Sequence, residues 1–437
     1  MSRHYAVIAY DGPDGAGKRD WFRAAYFADV ERIIDSIALA GPLQTKGCGF
    51  IGSLVVVNAD SAEPAQAIVE SGPYLKAGVP DRWQVHPFLA AAGDWLGGKT
   101  GQMRRLLASL ALSVAAPVAA ETISPWTEAV VSVADIPGAT RLFRDYGGWR
   151  VTAKGALSRA ELSYWQLPAG ATATFERLCA PKAETGCIRF VRFAGVAQRP
   201  IRRAARPWDT GGIFSIMIRS DSADQLFDRA LALGWWAESE PINFDFGGSQ
   251  LRNVVLTGPH GINIAVYERR APPFTAFPVG PMSQAFNSMR MVRNQPASLA
   301  FYREKLGLGL LFDSDYLDPA PQIGNFSIPI NLSTTIPRRA GVVQPQPGET
   351  GRMELMQFVG FTGRDFSSEA RPPNLGILSV RFPVKGLAAY RVAIEGRGVA
   401  VAYAAKRVTV RGIGTVDLFA IRDLDGNITE FYEKDAK

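Results

Sequence analysis

The chain is poor in the residues that build metal centres and disulfide scaffolds. Its 437 residues include three cysteines and three histidines. Three cysteines exclude a disulfide-stapled framework and a cysteine-rich zinc module. Histidine is the commonest ligand of catalytic transition metals, so His4, His86 and His260 leave little from which to assemble one. Charge of one sign is not concentrated either. The net charge is +7 and the isoelectric point about 9.3, yet no Lys/Arg block occurs, so nucleic-acid binding is not expected. What remains is ordinary for a soluble globular protein: 47% hydrophobic and 20% charged residues. The length suits two to four domains.

Residues 1–98 read as one small α+β sandwich. Strands are expected at 4–10, 52–58 and 83–88, and helices at 18–39 and 61–71. The first helix carries an apolar stripe through Phe22, Phe27, Val30, Ile33, Ile34 and Ile37, and Ala40-Gly-Pro42 is its expected stop. Residues 99–123 form a linker. Within it, Met103-Arg-Arg, a short Leu/Ala run and small residues before Glu121 have the pattern of a bacterial secretory signal, placed inside the chain. The run is too short to span a bilayer comfortably. The pattern suggests a fusion of a once-exported protein; an Ala/Leu-rich linker helix is the bland alternative. The intact chain is expected in the cytoplasm, with 121–437 periplasmic if 103–120 is used as a signal. In that event Cys179 and Cys187 could pair across a hairpin loop; otherwise they are two buried thiols.

Residues 124–437 contain an internal repeat. Four times a strand leads through a polar turn into a helix and then into further strands; the openings lie at 126–135, 212–221, 286–294 and 375–384. Each following helix carries an aromatic residue, Phe143, Phe227, Tyr302 or Tyr390, and a glycine-rich corner comes next. Four βαβββ units imply two domains, 124–270 and 283–437, with Pro272, Pro273 and Pro278 at the joint.

This repeat resembles the vicinal-oxygen-chelate superfamily, the glyoxalase and bleomycin-resistance proteins, most clearly at 283–312 and 421–433. The resemblance implies paired modules curled around one site, with four ligand positions for a metal that polarises two neighbouring substrate oxygens. In 283–437 those positions fall on Asn287, Glu354, Ser379 and Glu430: two carboxylates and no histidine. In 124–270 they fall on Glu128, Arg189, Phe214 and Ala265, a set that cannot hold a metal; Arg189 with Phe214 suggests a pocket for an acidic or aromatic compound. Residues 1–98 resemble the YCII-related family, through Tyr5–Pro13, Leu39–Pro42, Gly72-Pro-Tyr-Leu and His86-Pro-Phe88. Tyr26 and Gly72 stand where that family carries its histidine and aspartate, which puts catalysis by this unit in doubt and leaves it a pocket and a dimerisation surface.

The expected fold is therefore α+β: a ferredoxin-like YCII-type sandwich, then four βαβββ modules forming two vicinal-oxygen-chelate domains. The expected function is a lyase or isomerase acting on a small oxygenated compound, aromatic or acidic. Glu354 and Glu430 are its catalytic pair or its metal ligands, binding manganese, magnesium or calcium if a metal is present at all. Asn287, Ser379, Tyr432, Arg189 and Phe214 are the expected substrate contacts, with Tyr316 and Tyr403 as further companions. The alternative is a metal-free binding or resistance protein with the YCII-like unit as dimerisation module. Nucleotide binding is not expected. Gly12–Lys18 imitates a phosphate loop, but Arg19 stands in place of the Ser or Thr that would hold magnesium. His86 and His260 read as structural, and Trp149, Trp165, Trp208, Trp235 and Trp236 more as core than as a ligand pocket.

Overall fold

The computed structural model describes residues 4–88 (apart from 13–14, 16–17, 20–21, 23–25, 27–28, 31 and 45–49), 92–93, 98–99, and 122–435 (apart from 247, 325 and 327). The signal-like segment at 103–120 lies outside the described residues. The chain divides into two compact units, Met1–Pro117 and Val118–Lys437. Among the described residues no helix is long and apolar enough to cross a membrane.

The first unit is a four-stranded antiparallel sheet. Its strands are β1 (His4–Asp11), β2 (Ile37–Gln44), β3 (Phe50–Asn58) and β4 (Pro80–Phe88), in the order β2-β3-β1-β4. The helix expected to reach residue 39 ends earlier: a 3₁₀ turn covers Ile34–Ser36 and β2 begins at Ile37. Ala40-Gly-Pro42 is strand, not a helix stop. Pro42 is tolerated there because β2 lies at the sheet edge, where a missing N–H costs least. At the end of the phosphate-loop mimic, Lys18 Nζ donates to the Gly78 carbonyl at 3.1 Å, and the next residue, Arg19, pairs with Asp11 through two bonds of 2.5 and 2.7 Å. A short pair, β5 (Ala92–Gly93) with β6 (Gly98–Lys99), follows.

The second unit opens with β7 (Thr122–Ile123) and contains the four expected modules. Module one supplies β8 (Glu128–Ser132), β9 (Arg150–Ala156), β10 (Thr172–Cys179) and β11 (Cys187–Ala194). Module two supplies β12 (Ile213–Arg219), β13 (Trp236–Ala237), β14 (Ile242–Phe246), β15 (Ser249–Thr257) and β16 (Asn263–Ala271). Module three supplies β17 (Ala285–Met291), β18 (Gly309–Tyr316), β19 (Arg338–Gln344) and β20 (Arg352–Phe358). Module four supplies β21 (Gly376–Lys385), β22 (Val401–Val410), β23 (Gly414–Arg422) and β24 (Ile428–Lys434).

The modules pair differently from the expectation. One sheet runs β22-β23-β24-β21-β8-β11-β10-β9 and joins module four to module one; the other runs β13-β15-β16-β12-β17-β20-β19-β18 and joins module two to module three. The division at 270/283 is thus not a boundary between half-barrels, because β12 pairs with both β16 and β17. Pro272, Pro273 and Pro278 sit in a connection inside one sheet. The physical reason lies at the seams. Each seam is an antiparallel pair of first strands, β8 with β21 and β12 with β17. The first sets Glu128 beside Arg381, and the second sets Met217 beside Asn287. Pairing module one with two and module three with four would separate Glu128 from Arg381 in an interior that stabilises buried charge only in pairs.

Alternation divides each strand between two environments. Outward-facing Val131, Ile188, Ile216, Phe382 and Phe431 join helix residues such as Phe143, Tyr302 and Tyr390 in one core shared by both sheets. Inward-facing residues form two separate clusters, one within each curled sheet. Gly186 ties the two sheets together. It has φ +67° and its carbonyl accepts from Ala285 N, at the start of β17, at 3.0 Å. A Cβ there would overlap the Ala285 backbone. Gly186→Ala is expected to lower the stability of this unit by at least about 2 kcal/mol, read in a urea melt, from the left-handed conformation and the overlap together. Cys179 and Cys187 close the adjacent β10–β11 hairpin as a disulfide.

Candidate functional site

The two half-barrels have the same plan and opposite interiors. In the first, built from modules one and four, the positions that the resemblance marks as ligands do converge: Glu128 on β8, Arg189 on β11, Ser379 on β21 and Glu430 on β24. All four are buried. They are occupied with one another. Glu128 Oε1 accepts from Arg189 Nε at 2.7 Å and Arg381 Nη1 at 2.8 Å; its Oε2 accepts from Arg177 Nε at 2.7 Å. Arg381 also donates through Nε to Glu430 at 3.0 Å, and Ser379 donates to the other Glu430 oxygen. Burial opposes ionisation of Glu128, but Arg189, Arg381 and Arg177 prevail and hold its carboxyl down at about 2.

The connection between β9 and β10 closes this interior. Its helix, Arg159–Tyr164, is anchored by a reciprocal cap in which Ser158 Oγ accepts from Glu161 N and the Glu161 carboxylate accepts from Ser158 N. It delivers Leu162, Tyr164 and Trp165 into the apolar cluster, with Arg381 lying 5.5 Å over the Trp165 ring. A void of about 10 Å³ is left beside Arg381, Glu430 and Tyr432, room for one water at most. Tyr432, an expected substrate contact, is buried there with its hydroxyl 3.1 Å from Thr127 Oγ1. Glu430, Ser379, Tyr432 and Arg189 are therefore parts of a closed charged core. Arg177 and Arg381, which complete it, escaped notice in the sequence. Arg381 could have been found, since it stands two residues beyond Ser379 on the same strand.

The second half-barrel, from modules two and three, is open. A cavity of about 420 Å³ lies inside it, lined by Met217, Met289, Met356, Phe286 and Tyr267 among others. The segment between β18 and β19, which stands where the plug helix stands in module one, borders this cavity with Asp318, Gln322, Ile323 and Phe326 instead of filling it. Of the expected site residues, Glu354 and Asn287 line the cavity. Phe214 belongs to the same inner cluster, on a different sheet from Arg189, so the expected Arg189–Phe214 pocket does not exist. Tyr316 also lines the cavity, whereas Tyr403 packs in the closed half-barrel. Glu354 and Glu430 lie on different sheets and cannot act as a pair or share an ion. Adjacent repeats suggested otherwise only because their strand partners are not visible in sequence.

Glu354 is the one carboxylate among the four positions of this half-barrel. Among the described residues it makes no ion pair and no side-chain hydrogen bond, and burial alone pushes its carboxyl up to about 7. Tyr267 lies close enough that burial first, and the Glu354 charge second, raise its hydroxyl above the ordinary range. The set does not fit a divalent metal. Phe214 and Ala265 offer no donor, and Asn287 Oδ1 already accepts from Ser288 N at 2.8 Å. Among the described residues no group of three His, Cys, Asp or Glu side chains is placed to hold an ion. Four arginines line the cavity without having been singled out in sequence: Arg219, Arg269, Arg338 and Arg352. Arg219 and Arg269 had a legible signal, each at or near the end of an apolar strand and two residues beyond an inward residue, Met217 or Tyr267. Of the five tryptophans considered, Trp149, Trp165 and Trp235 are core and none lines the cavity. His86 contacts Gln84 at 3.2 Å, and His260 sits in a 3₁₀ turn where its Nε2 accepts from Asp135 N at 3.3 Å.

Residues 4–89 match the YCII-related domain model. Over 92 residues the chain is 34% identical to Protein YciI of Escherichia coli O6:H1, covering 19% of this chain and 94% of that protein, and equally to Protein YciI of Shigella flexneri. The chain belongs to the YCII-related family through its first unit. Among solved structures it is similar to glyoxalase I of Zea mays, with TM-score 0.47, 14% identity, and coverage of 72% of this chain and 93% of that one. It is also similar to a putative dioxygenase of Bacillus subtilis, with TM-score 0.46, 11% identity, and coverage of 72% and 87%.

Proposed function

We propose that the half-barrel of modules two and three is a small-molecule site in which Glu354 exchanges a proton with a bound oxygenated compound, the chemistry of a lyase or isomerase run without a metal. The observation that carries this reading is Glu354 itself: a carboxyl with no ion-pair or hydrogen-bond partner among the described residues, held at about 7 inside a cavity of about 420 Å³. A general base works best with its pKa near the operating pH, and an apolar wall is the usual way to bring a glutamate there. The volume is in the range of small-ligand pockets. Methionine and phenylalanine side chains suit a flat apolar body, while Asn287 and Tyr267 offer polar contacts at its edge.

The proton-transfer reading is tested with an enolisable aryl ketone, 1-phenylpropan-2-one, in deuterated water. The protein is expected to accelerate deuterium incorporation at the benzylic carbon, and Glu354→Gln to lower that rate by about 10²-fold or more. Incubation with a chelator is expected to leave the rate unchanged. Equal rates for Glu354→Gln and wild type would refute the role of Glu354, and a chelator-sensitive rate would refute the metal-free mechanism.

A further inference from the structure

One end of the open cavity carries more positive charge than the fold neutralises. Arg219 closes β12 and Arg269 lies near the end of β16. These strands are parallel neighbours, with Arg219 beside Tyr267 and Arg269 two residues further on the same face. Arg219 is only 5% exposed, with its guanidinium 4.0 Å from the Phe274 ring centre and 4.4 Å from that of Phe286. Its Nη2 lies 3.0 Å from Glu349, and Arg352 draws on the same carboxylate at 3.0 Å. Arg269 has no carboxylate partner among the described residues; it donates through Nη2 to Ser249 Oγ at 2.8 Å and lies 5.7 Å over Phe274. The buried Nε–H groups of both Arg219 and Arg269 find no acceptor among the described residues. Glu349 thus pairs with two of these three guanidiniums, Arg219 and Arg352, and Arg269 adds a third positive charge without a carboxylate among the described residues. Consistent with that deficit, burial, and then the like charge of Arg269, outweigh Glu349 and bring Arg219 down to about 10. On the far side the charge of Arg338 is matched by Asp318 at 2.7 Å, although its Nε and Nη2 also lack a hydrogen-bond acceptor among the described residues.

Buried donors without acceptors are costly, and a ligand that supplies the acceptor recovers that cost on binding. We propose that Arg219 and Arg269 form an anion clamp that selects ligands carrying a carboxylate on an apolar, aromatic-sized body. This rests on the reading of the cavity as the ligand site and adds the substrate class. The carboxylate binds at the Arg219–Arg269 end, and its body lies along Phe286, Met217, Met289 and Met356 on the walls that also carry Glu354. The planar guanidinium fork suits a carboxylate better than a neutral amide of the same shape, because charge-assisted bonds are about twice as strong as neutral ones.

Phenylacetate and phenylacetamide, isosteric and differing in charge, test this on the full chain with methyl-¹³C methionine. The methyl signals of Met217, Met289 and Met356 report whether either probe enters the cavity. Phenylacetate is expected to shift them with at least about tenfold tighter affinity than phenylacetamide. Arg269→Gln is expected to weaken phenylacetate about tenfold and leave phenylacetamide unchanged, and Arg269→Lys to restore part of the loss. Thermal melts confirm that both variants fold. Equal affinities for the two probes, or no effect of Arg269→Gln, would overturn the clamp, while phenylacetamide shifting the same methyls would keep the cavity as the ligand site. If neither probe shifts those methyls, clamp and ligand site fall together.

Discussion

Replacing Glu128 by Gln is expected to destabilise the second unit by about 3–5 kcal/mol at pH 7, the cost of breaking a buried ion network by removing one partner. Glu128 is fully buried and receives Arg177, Arg189 and Arg381 at 2.7–2.8 Å. Without its charge, three guanidiniums would be left with Glu430 as the one carboxylate in direct contact among the described residues, through Arg381. The location makes the effect large. Glu128 comes from module one and Arg381 from module four, so the pair spans the seam that creates the half-barrel. The pH dependence follows from the depressed pKa. Glu128 titrates at about 2 in the folded chain and near its ordinary value of 4.5 when unfolded. The unfolded state therefore binds the proton more readily, and the contribution is fully present above 4.5. It fades as pH falls toward 2 and amounts to about 3 kcal/mol across that window. Urea melts between pH 6 and pH 3 should show that acid slope in wild type and lose its Glu128 part in Glu128→Gln. A change below 1 kcal/mol at pH 7 would show that the network is not a stabilising seam.

How much of this was legible in sequence depends on what each signal measures. Periodicity and turn chemistry exposed four modules, since each strand's alternation and each glycine corner is local information. Pairing of modules is not local. Met217 and Val130 look equally apolar on their strands, and nothing in either segment states that β12 meets β17 while β8 meets β21. The resemblance to a chelate fold marked Glu128, Arg189, Ser379 and Glu430 as positions of two sites, whereas all four are buried together in one half-barrel. Whether an inward carboxylate meets arginine or empty space depends on partners 49 to 253 residues away, as for Arg177 and Arg381 on Glu128. The plug illustrates the same limit. That Trp165 and Tyr164 fill one half-barrel, while Asp318, Gln322, Ile323 and Phe326 border a cavity in the other, is a fact of packing. Glu354 was singled out as an inward carboxylate on an apolar strand and lines the cavity, while Glu430, its expected partner, lies on the other sheet.

Glu354→Gln should make the second unit more stable at pH 8 and leave it unchanged at pH 4. The sign is opposite to that of Glu128, because burial raises the folded-state pKa to about 7 with no cation in ion-pair or hydrogen-bond contact to pull it back. Below pH 4.5 both folded and unfolded chains carry a neutral Glu354, and the substitution exchanges one neutral polar group for another. Between 4.5 and 7 the unfolded chain releases the proton and the folded chain keeps it, so wild-type stability declines as pH rises. Above 7 the folded chain ionises too and the penalty stops growing, at about 3 kcal/mol for a shift of this size, somewhat less because water in the cavity screens the charge. Glutamine carries no such penalty. Melts at pH 4, 6 and 8 should therefore diverge progressively, with Glu354→Gln ahead by about 2–3 kcal/mol at pH 8. Parallel stability curves for the two proteins would place the Glu354 pKa in the ordinary carboxylate range and remove the basis for its role as a base at neutral pH. A residue whose removal stabilises the fold while abolishing proton exchange is retained for its chemistry rather than for packing, which is the trade expected of a reactive group held in an unfavourable environment.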